Sequence, residues 1–168
     1  VEDGIENFND DSTFEYCTNL KIVKLPEGLK TLANNAFAEC EKLDTINIPK
    51  SLEYCGSNAF TNTKWSRDNA DENGLVIRNN IILDYVVDKN VKDKNNIVIP
   101  EDVEYLGSDI FQYHEEIRSI TFPDSLEYIE ANALCGCENL EKVIGGETIV
   151  SIGEDAFFNT KYCDKELW

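Results

Sequence analysis

The chain has 168 residues, 42% hydrophobic and 10% aromatic, so it is long and apolar enough to form a folded domain with a sizeable core. Its 33 acidic residues outnumber 15 basic ones and give a formal net charge of −18, which repels phosphate backbones and anionic lipid headgroups. The composition therefore disfavours nucleic-acid partners, and the apolar runs are too short for membrane insertion.

The sequence repeats itself with a period of 23 residues. One column of large apolar side chains keeps this spacing, apart from a single gap that equals one period plus 28 residues: Phe14, Phe37, Phe60, Phe111, Leu134 and Phe157. A second column holds prolines, with a glycine in the last slot: Pro26, Pro49, Pro100, Pro123 and Gly146. Because several columns share one register, the chain is predicted to be a repeat protein.

Each repeat divides into three short segments. Alternation at Ile46 and Ile48 predicts a strand with one buried face, and Pro49 ends it because proline lacks a backbone N–H. Leu52 and Cys55 predict a second extended run, and Ala59-Phe60 is interpreted as a helical turn that places its ring inside. One coil cannot bury its own apolar side, so stacked coils are predicted to share a core. The expected fold is an α/β-type repeat solenoid with short parallel strands and helical turns.

An insert interrupts the repeat at about residues 64–96. A polar turn at 68–74 precedes two β-branched runs at 75–78 and 81–87, which are separated by Asn79-Asn80. Asparagine tolerates positive φ, so this pattern predicts a β-hairpin with a type I′-like turn. The segment that begins at Asn69 partly matches a calcium loop, but its twelfth position is Asn80 instead of a bidentate Glu. A polar lead into the hairpin is the favoured interpretation, and no metal is expected.

Both ends of the sequence fall within repeats. Asn159-Thr160-Lys161-Tyr162 lies 97 residues after Asn62-Thr63-Lys64-Trp65 and predicts the start of a second insert. Residues 1–14 look like the back half of a repeat. We therefore interpret residues 1–168 as a single solenoid domain from a longer chain.

The six cysteines allow two interpretations. Cys17, Cys40 and Cys137 occupy one slot of the repeat, three residues after the aromatic column, and Cys55 fills an apolar slot. This placement favours buried core thiols, while an even count also permits disulfides, with Cys17–Cys40 as the first candidate. Cys135 and Cys137 lack the partner pair that a zinc site requires.

Catalysis is not expected from these residues. His114 is the only histidine and falls in the cysteine slot, so a tolerated substitution is favoured over a catalytic base. A Ser-His-Asp arrangement would need a serine beside it, and Ser108 and Ser119 occupy ordinary turn and strand positions. A glycoside hydrolase using two of the many carboxylates remains an alternative. No cofactor is expected.

The candidate ligand-binding surface is the exposed face of the first strand of each coil. Two rows of side chains are predicted to line up there, the first being Lys24, Asn47, Val98, Thr121 and Ile144, and the second Ile22, Thr45, Asn96, Ser119 and Lys142. Exposed Ile22, Val98 and Ile144 would be typical of an interface. Good strand propensity explains the same residues equally well.

The pattern Leu-x-x-Ile-x-Ile-Pro-x-x-Leu/Val-x-x-Ile-x-x-x-Ala-Phe-x-x-Cys resembles the BspA-like leucine-rich repeats of bacterial and protozoan surface proteins. Ile110-Phe111, His114 and Gly146 depart from it at single positions. The resemblance implies an extracellular or cell-surface adhesion module that binds a protein or glycan on host or neighbouring cells. It also implies hairpin inserts. A monomer is expected. A structural spacer that presents other domains is the alternative.

Overall fold

A computed structural model describes residues 7, 8, 10–88 and 91–163. The predicted half-repeat at 1–14 lies partly outside the described residues. The chain forms two compact units, which we call the N-terminal unit (Val1–Asp71 and Leu75–Val86) and the C-terminal unit (Glu72–Gly74 and Val87–Trp168). Within the described part of the chain, no helix is both long and apolar enough to cross a membrane.

The N-terminal unit contains two sheets of very short parallel strands. One sheet has the order β1-β3-β5 and the other pairs β2 with β4, where the strands are β1 (Asn7–Phe8), β2 (Ile22–Val23), β3 (Thr31–Leu32), β4 (Thr45–Ile46) and β5 (Tyr54–Cys55). Leu32 lies opposite Cys55, and Val23 lies opposite Ile46. Both pairs are 23 positions apart, so the predicted coil length and strand register are confirmed.

The insert contributes a helix and two antiparallel strands to this unit. Strands β6 (Leu75–Arg78) and β7 (Ile81–Tyr85) pair with each other, and Asn79 and Asn80 between them have φ of 52° and 63°, as a type I′ turn requires. A six-residue helix, α1 (Lys64–Asn69), precedes them and was not predicted. Thr63 caps this helix because its hydroxyl accepts a hydrogen bond from the Ser66 N–H.

The C-terminal unit repeats the two-sheet arrangement with three strands on each side. Strands β8 (Asn96–Val98), β10 (Ser119–Thr121) and β12 (Lys142–Ile144) are parallel neighbours. On the other side, strands β9 (Tyr105–Leu106), β11 (Tyr128–Ile129) and β13 (Ser151–Ile152) are also parallel neighbours. Each coil of this unit therefore presents one strand to each of two opposite sheets.

The predicted helical turn at Ala-Phe is wrong. Each of these turns contains two left-handed residues, such as Asn35 at φ 54° and Glu39 at φ 61°, and α1 is the sole α-helix among the described residues. The turn instead bonds to the neighbouring coil, because the Phe37 N–H donates to the Ala59 carbonyl at 2.8 Å. A right-handed helix would direct that N–H along its own axis, so the left-handed residues are what allow a third ladder between coils.

The aromatic column forms an interior ladder in each unit. In the N-terminal unit, Phe37 stacks on Phe14 with 5.6 Å between ring centroids and on Phe60 with 5.8 Å. In the C-terminal unit, Phe111 and Leu134 are fully buried, and Phe157 is 6% exposed. The equivalent slot of successive coils therefore supplies the centre of each core, as predicted.

Candidate binding surfaces

The exposed face of β8, β10 and β12 carries both predicted rows in register. Asn96, Ser119 and Lys142 lie side by side, and so do Val98, Thr121 and Ile144. Neighbouring strands lie about 4.8 Å apart, so these six side chains, which we call the C-terminal strand face, form one patch. Val98 is 53% exposed and Ile144 is 42% exposed. The patch therefore has an apolar row beside a polar row.

The polar row is held by its own hydrogen bonds. The Ser119 hydroxyl donates to Asn96 Oδ1 at 2.8 Å, and Asn96 Nδ2 donates to Asp93 Oδ2 at 2.9 Å. Hydrogen bonds from the Asn96 side chain and the Asn95 backbone lower the pKa of Asp93. A ligand on this face would meet a preoriented polar edge, because these side chains are already restrained.

The N-terminal unit has a smaller counterpart of this face. Ile22 and Thr45 are exposed and paired in register, and Lys24 is exposed beside them. Asn47 is half-buried, and its side-chain oxygen accepts from the Leu25 N–H at 2.7 Å while its amide donates to the Leu25 carbonyl at 3.0 Å. Asn47 therefore connects two coils, and a ligand would have to compete with these bonds.

The single histidine lies beside a glutamate carboxylate. His114 Nδ1 lies 2.8 Å from Glu116 Oε1, and both side chains are partly buried. Of the serines considered for a catalytic triad, Ser119 donates its hydroxyl to Asn96. The structure thus brings together His114 and Glu116, which are two residues apart in sequence, at the surface of one coil.

The cysteine slot has a structural role. The Cys40 thiol donates to the Phe14 carbonyl, and the Cys137 thiol donates to the Phe111 carbonyl, both at 3.0 Å and both across to the preceding coil. Burial raises the pKa of Cys40, and it raises the pKa of Cys137 to about 12. All six cysteines are free thiols. Cys17 is exposed, so the expectation of a core thiol is wrong at that position.

The calcium-loop resemblance is explained by the hairpin. The Asp71 carboxylate accepts from the Leu75 N–H at 2.9 Å, and Asn69 Oδ1 accepts from the Arg78 guanidinium. These oxygens thus bind protein groups at the base of the hairpin. Among the described residues, no group of three or more His, Cys, Asp or Glu side chains is arranged to hold a metal ion.

Sequence reasoning missed a second exposed feature, on the opposite side of the C-terminal unit. The rings of Tyr105 and Tyr128, which are neighbours in β9 and β11, stack with centroids 4.9 Å apart and planes 25° apart. Tyr105 is 37% exposed. Partial burial raises its pKa, and the nearby carboxylate of Glu130 raises it further. The available signal was tyrosine in the slot before a buried column in two successive coils.

Comparison with known proteins identifies the repeat. The family model described as BspA type leucine rich repeat region matches residues 5–84 and 82–166, with six copies. A search of curated proteins finds no match.

Solved structures with a similar fold include the pneumococcal vaccine antigen PcpA, with 18% identity, a TM-score of 0.51, and coverage of 84% of this chain and 43% of that one. Another is a leucine rich cell surface protein from Faecalibacterium prausnitzii, with 20% identity, a TM-score of 0.48, and coverage of 88% and 47%. The chain thus spans less than half the length of these two proteins. At 18% identity the likeness to PcpA concerns the fold alone.

Proposed function

Because the chain belongs to the BspA-type leucine-rich repeat family, we propose that it is a binding or adhesion module. It acts at the cell surface or as a secreted protein, and it recognises a protein or glycan on host or neighbouring cells. The proposal places the ligand on the strand faces of the coils, with the C-terminal strand face as the main contact. The location and the type of partner rest on the family resemblance of the repeat.

The observation that carries this proposal is the row formed by Val98, Thr121 and Ile144. Two of its three side chains are exposed β-branched apolar residues, and the third adds a methyl group between them. Exposed apolar groups that lie in register form a surface that gains free energy when a partner covers it. The fixed Asn96–Ser119 pair beside the row supplies hydrogen-bonding groups at little entropic cost.

Removing the apolar row without disturbing the core is the direct test. A double variant, Val98→Thr with Ile144→Thr, keeps β-branched side chains and replaces a methyl or ethyl group of each apolar contact with a hydroxyl. Loss of two partly exposed aliphatic groups corresponds to about 1–2 kcal/mol of binding free energy, or roughly 5- to 30-fold in Kd. The matched control, Tyr16→Ser with Phe158→Ser, removes two side chains that are 68% and 62% exposed and lie in turns.

The measurement is biosensor binding of the intact chain to a panel of extracellular matrix proteins and mucosal glycans. A ligand that is weakened by the strand-face variant and not by the control supports the proposal. A ligand that both variants bind as tightly as the parent shows that the strand face is not the contact. If no panel member binds the parent chain, the structural spacer becomes the better interpretation.

A further inference from the structure

The acidic residues are unevenly distributed between the two units. Within the C-terminal unit, the segments 100–109, 123–132 and 146–155 contain ten Asp or Glu and no Lys or Arg. Each segment begins at the proline slot and contains one strand of the sheet β9-β11-β13. The equivalent segments of the N-terminal unit, 26–35 and 49–58, hold two acids and two bases, of which Lys30 and Glu53 form a surface ion pair at 3.9 Å.

The charge on this side of the C-terminal unit is exposed and spread out. Eight of the ten carboxylates are exposed to solvent: Glu101, Asp102, Glu104, Asp124, Glu127, Glu147, Glu154 and Asp155. No trio of acidic side chains in the described segments is close enough to hold a metal ion. Because rows of carboxylates repeat from coil to coil, the field suits a partner with several positive charges in an extended arrangement.

Two tyrosines on neighbouring strands lie among these acidic residues, and the next strand has a serine in the same slot. Tyr105, Tyr128 and Ser151 are partners in register on β9, β11 and β13. Tyr105 covers one face of the Tyr128 ring, whereas Ser151 has no ring with which to cover the other. Beside that position, Val150 is 73% exposed and Ile152 is 42% exposed. The result is a ring face next to exposed apolar residues, within segments that are rich in exposed carboxylates.

We propose that this acidic tyrosine face, formed by Glu104, Tyr105, Glu127, Tyr128, Val150 and Ser151, binds an arginine-bearing basic segment of a partner protein. The guanidinium stacks on Tyr128 above Ser151, where the pair of stacked rings ends, and pairs with the carboxylate of Glu127. Arginine is favoured over lysine because its planar cation stacks on an aromatic ring and pairs with a carboxylate at once. A second copy of this chain is a poor occupant, since each copy carries a net charge of −18.

This inference concerns a different surface from the strand face, so it does not depend on the proposed function and can fail separately. The probes are biotinylated hexa-arginine and hexa-lysine peptides, immobilised on a biosensor and titrated with the intact chain. Salt near the physiological level of about 0.15 M limits long-range attraction between exposed charges. Circular dichroism and thermal unfolding verify that every variant is folded.

Three variants separate local recognition from overall charge. Tyr128→Ser copies the residue that the last coil already has in this slot, and we expect it to weaken hexa-arginine binding by roughly 3- to 10-fold. Glu104→Gln with Glu127→Gln should weaken both peptides by a similar factor. Glu27→Gln with Glu41→Gln removes the same amount of charge from exposed positions in the N-terminal unit and should change binding less than about 2-fold.

The preference for arginine is the decisive readout. The parent chain should bind hexa-arginine more tightly than hexa-lysine, and Tyr128→Ser should remove that difference. Equal binding of the two peptides by the parent chain overturns the proposed stacking. Equal losses in the Glu104/Glu127 and Glu27/Glu41 variants show that only total charge matters, and they overturn the site itself.

Discussion

Replacement of Phe37 by alanine tests whether an interior stack of phenylalanine rings stabilises the N-terminal unit. Phe37 is fully buried, and rings from both neighbouring coils stack on it, at 5.6 Å and 5.8 Å between centroids. Truncation of a buried phenylalanine costs about 3–5 kcal/mol, through lost burial and the cavity that remains. Because both faces of this ring are covered by Phe14 and Phe60, the cavity cannot close from one side, and we expect a value of about 4 kcal/mol.

The measurement is urea unfolding, followed by far-UV circular dichroism and by tryptophan fluorescence, with Trp168→Phe as the background so that Trp65 gives the signal. This indole packs against Phe60, with centroids 4.9 Å apart, and so reports on the same core. Phe37→Leu should cost less, roughly 1–2 kcal/mol, because Leu134 fills the equivalent slot in the C-terminal unit. Phe158→Ala is the matched control, since this ring is 62% exposed, and it should cost under about 0.5 kcal/mol. A Phe37→Ala cost no larger than that of the control would refute an interior ladder.

Three further predictions follow from the turns, the thiols and one ion pair. Asn58 is exposed at φ 58°, so Asn58→Gly should leave stability within about 0.5 kcal/mol, whereas Asn58→Val should lose about 1–2 kcal/mol in urea unfolding. Ellman's reagent should modify the exposed Cys17 thiol in the folded chain. Burial raises the pKa of Cys137 to about 12, so this thiol should react only after unfolding. Reaction of Cys137 in the folded chain would contradict its burial. The Lys92 ammonium lowers the pKa of Glu72 by a hydrogen bond, so the pair stabilises the fold above the ordinary value of 4.5 and loses that contribution as pH falls through the lowered pKa. NMR titration of Lys92→Gln should return the Glu72 pKa to its ordinary value.

The strand register was predictable because stacked coils cover one another's apolar side chains in only one register. Side chains that share a slot must lie opposite each other if each coil is to cover the next, so the spacing of Ile97, Ile120 and Val143 alone predicts that they are partners. Phe14, Phe37 and Phe60 share a slot in the same way, so their rings must also stack. The sequence period predicts these contacts because every coil packs on its neighbour with the same geometry.

The turn was predicted wrongly because the prediction relied on the apolar Ala-Phe pattern and neglected the backbone preference of the residue before it. The residue before the Ala or Ile is left-handed in five coils and is always an asparagine or aspartate: Asn35, Asn58, Asp109, Asn132 and Asp155. These two residue types adopt positive φ more readily than other non-glycine residues. Their recurrence in one slot was a readable signal for a left-handed turn.

The start of the insert shows what a short motif can encode. In the first copy, Thr63 caps α1 and Trp65 packs on the ring of Phe60. In the second, the Cys163 N–H donates to Thr160 Oγ1 at 3.2 Å and Tyr162 packs on Phe157. The Asn-Thr-Lys-aromatic repeat therefore specifies a capped turn whose ring covers the aromatic column. A capping threonine before an aromatic residue was the signal, but the polar composition that follows suggested a loop.

The repeat position of an exposed side chain does not predict whether that side chain is open to a ligand or bonded to the neighbouring coil. Lys24, Asn47 and Val98 share one slot, yet only the asparagine is short and bifunctional enough to bond both backbone groups of Leu25. Its two hydrogen bonds depend on the local separation of coils, which the sequence pattern does not contain. A slot therefore predicts which way a side chain faces, and the side chain's own chemistry decides whether a ligand can use it.

The uneven distribution of charge could have been predicted from the sequence, because the position of a residue in the repeat determines the sheet on which it lies. Total charge alone disfavours anionic partners and assigns no location to the negative charge. Sorting the acids by slot places Glu104 and Glu127 beside the stacked tyrosines of the C-terminal unit, while Lys30 balances Glu53 in the equivalent slot of the N-terminal unit. Equivalent positions thus differ in charge although their backbone is the same. In a repeat fold, where packing fixes the buried slots, such a difference between coils at exposed slots indicates recognition more directly than any feature that all coils share.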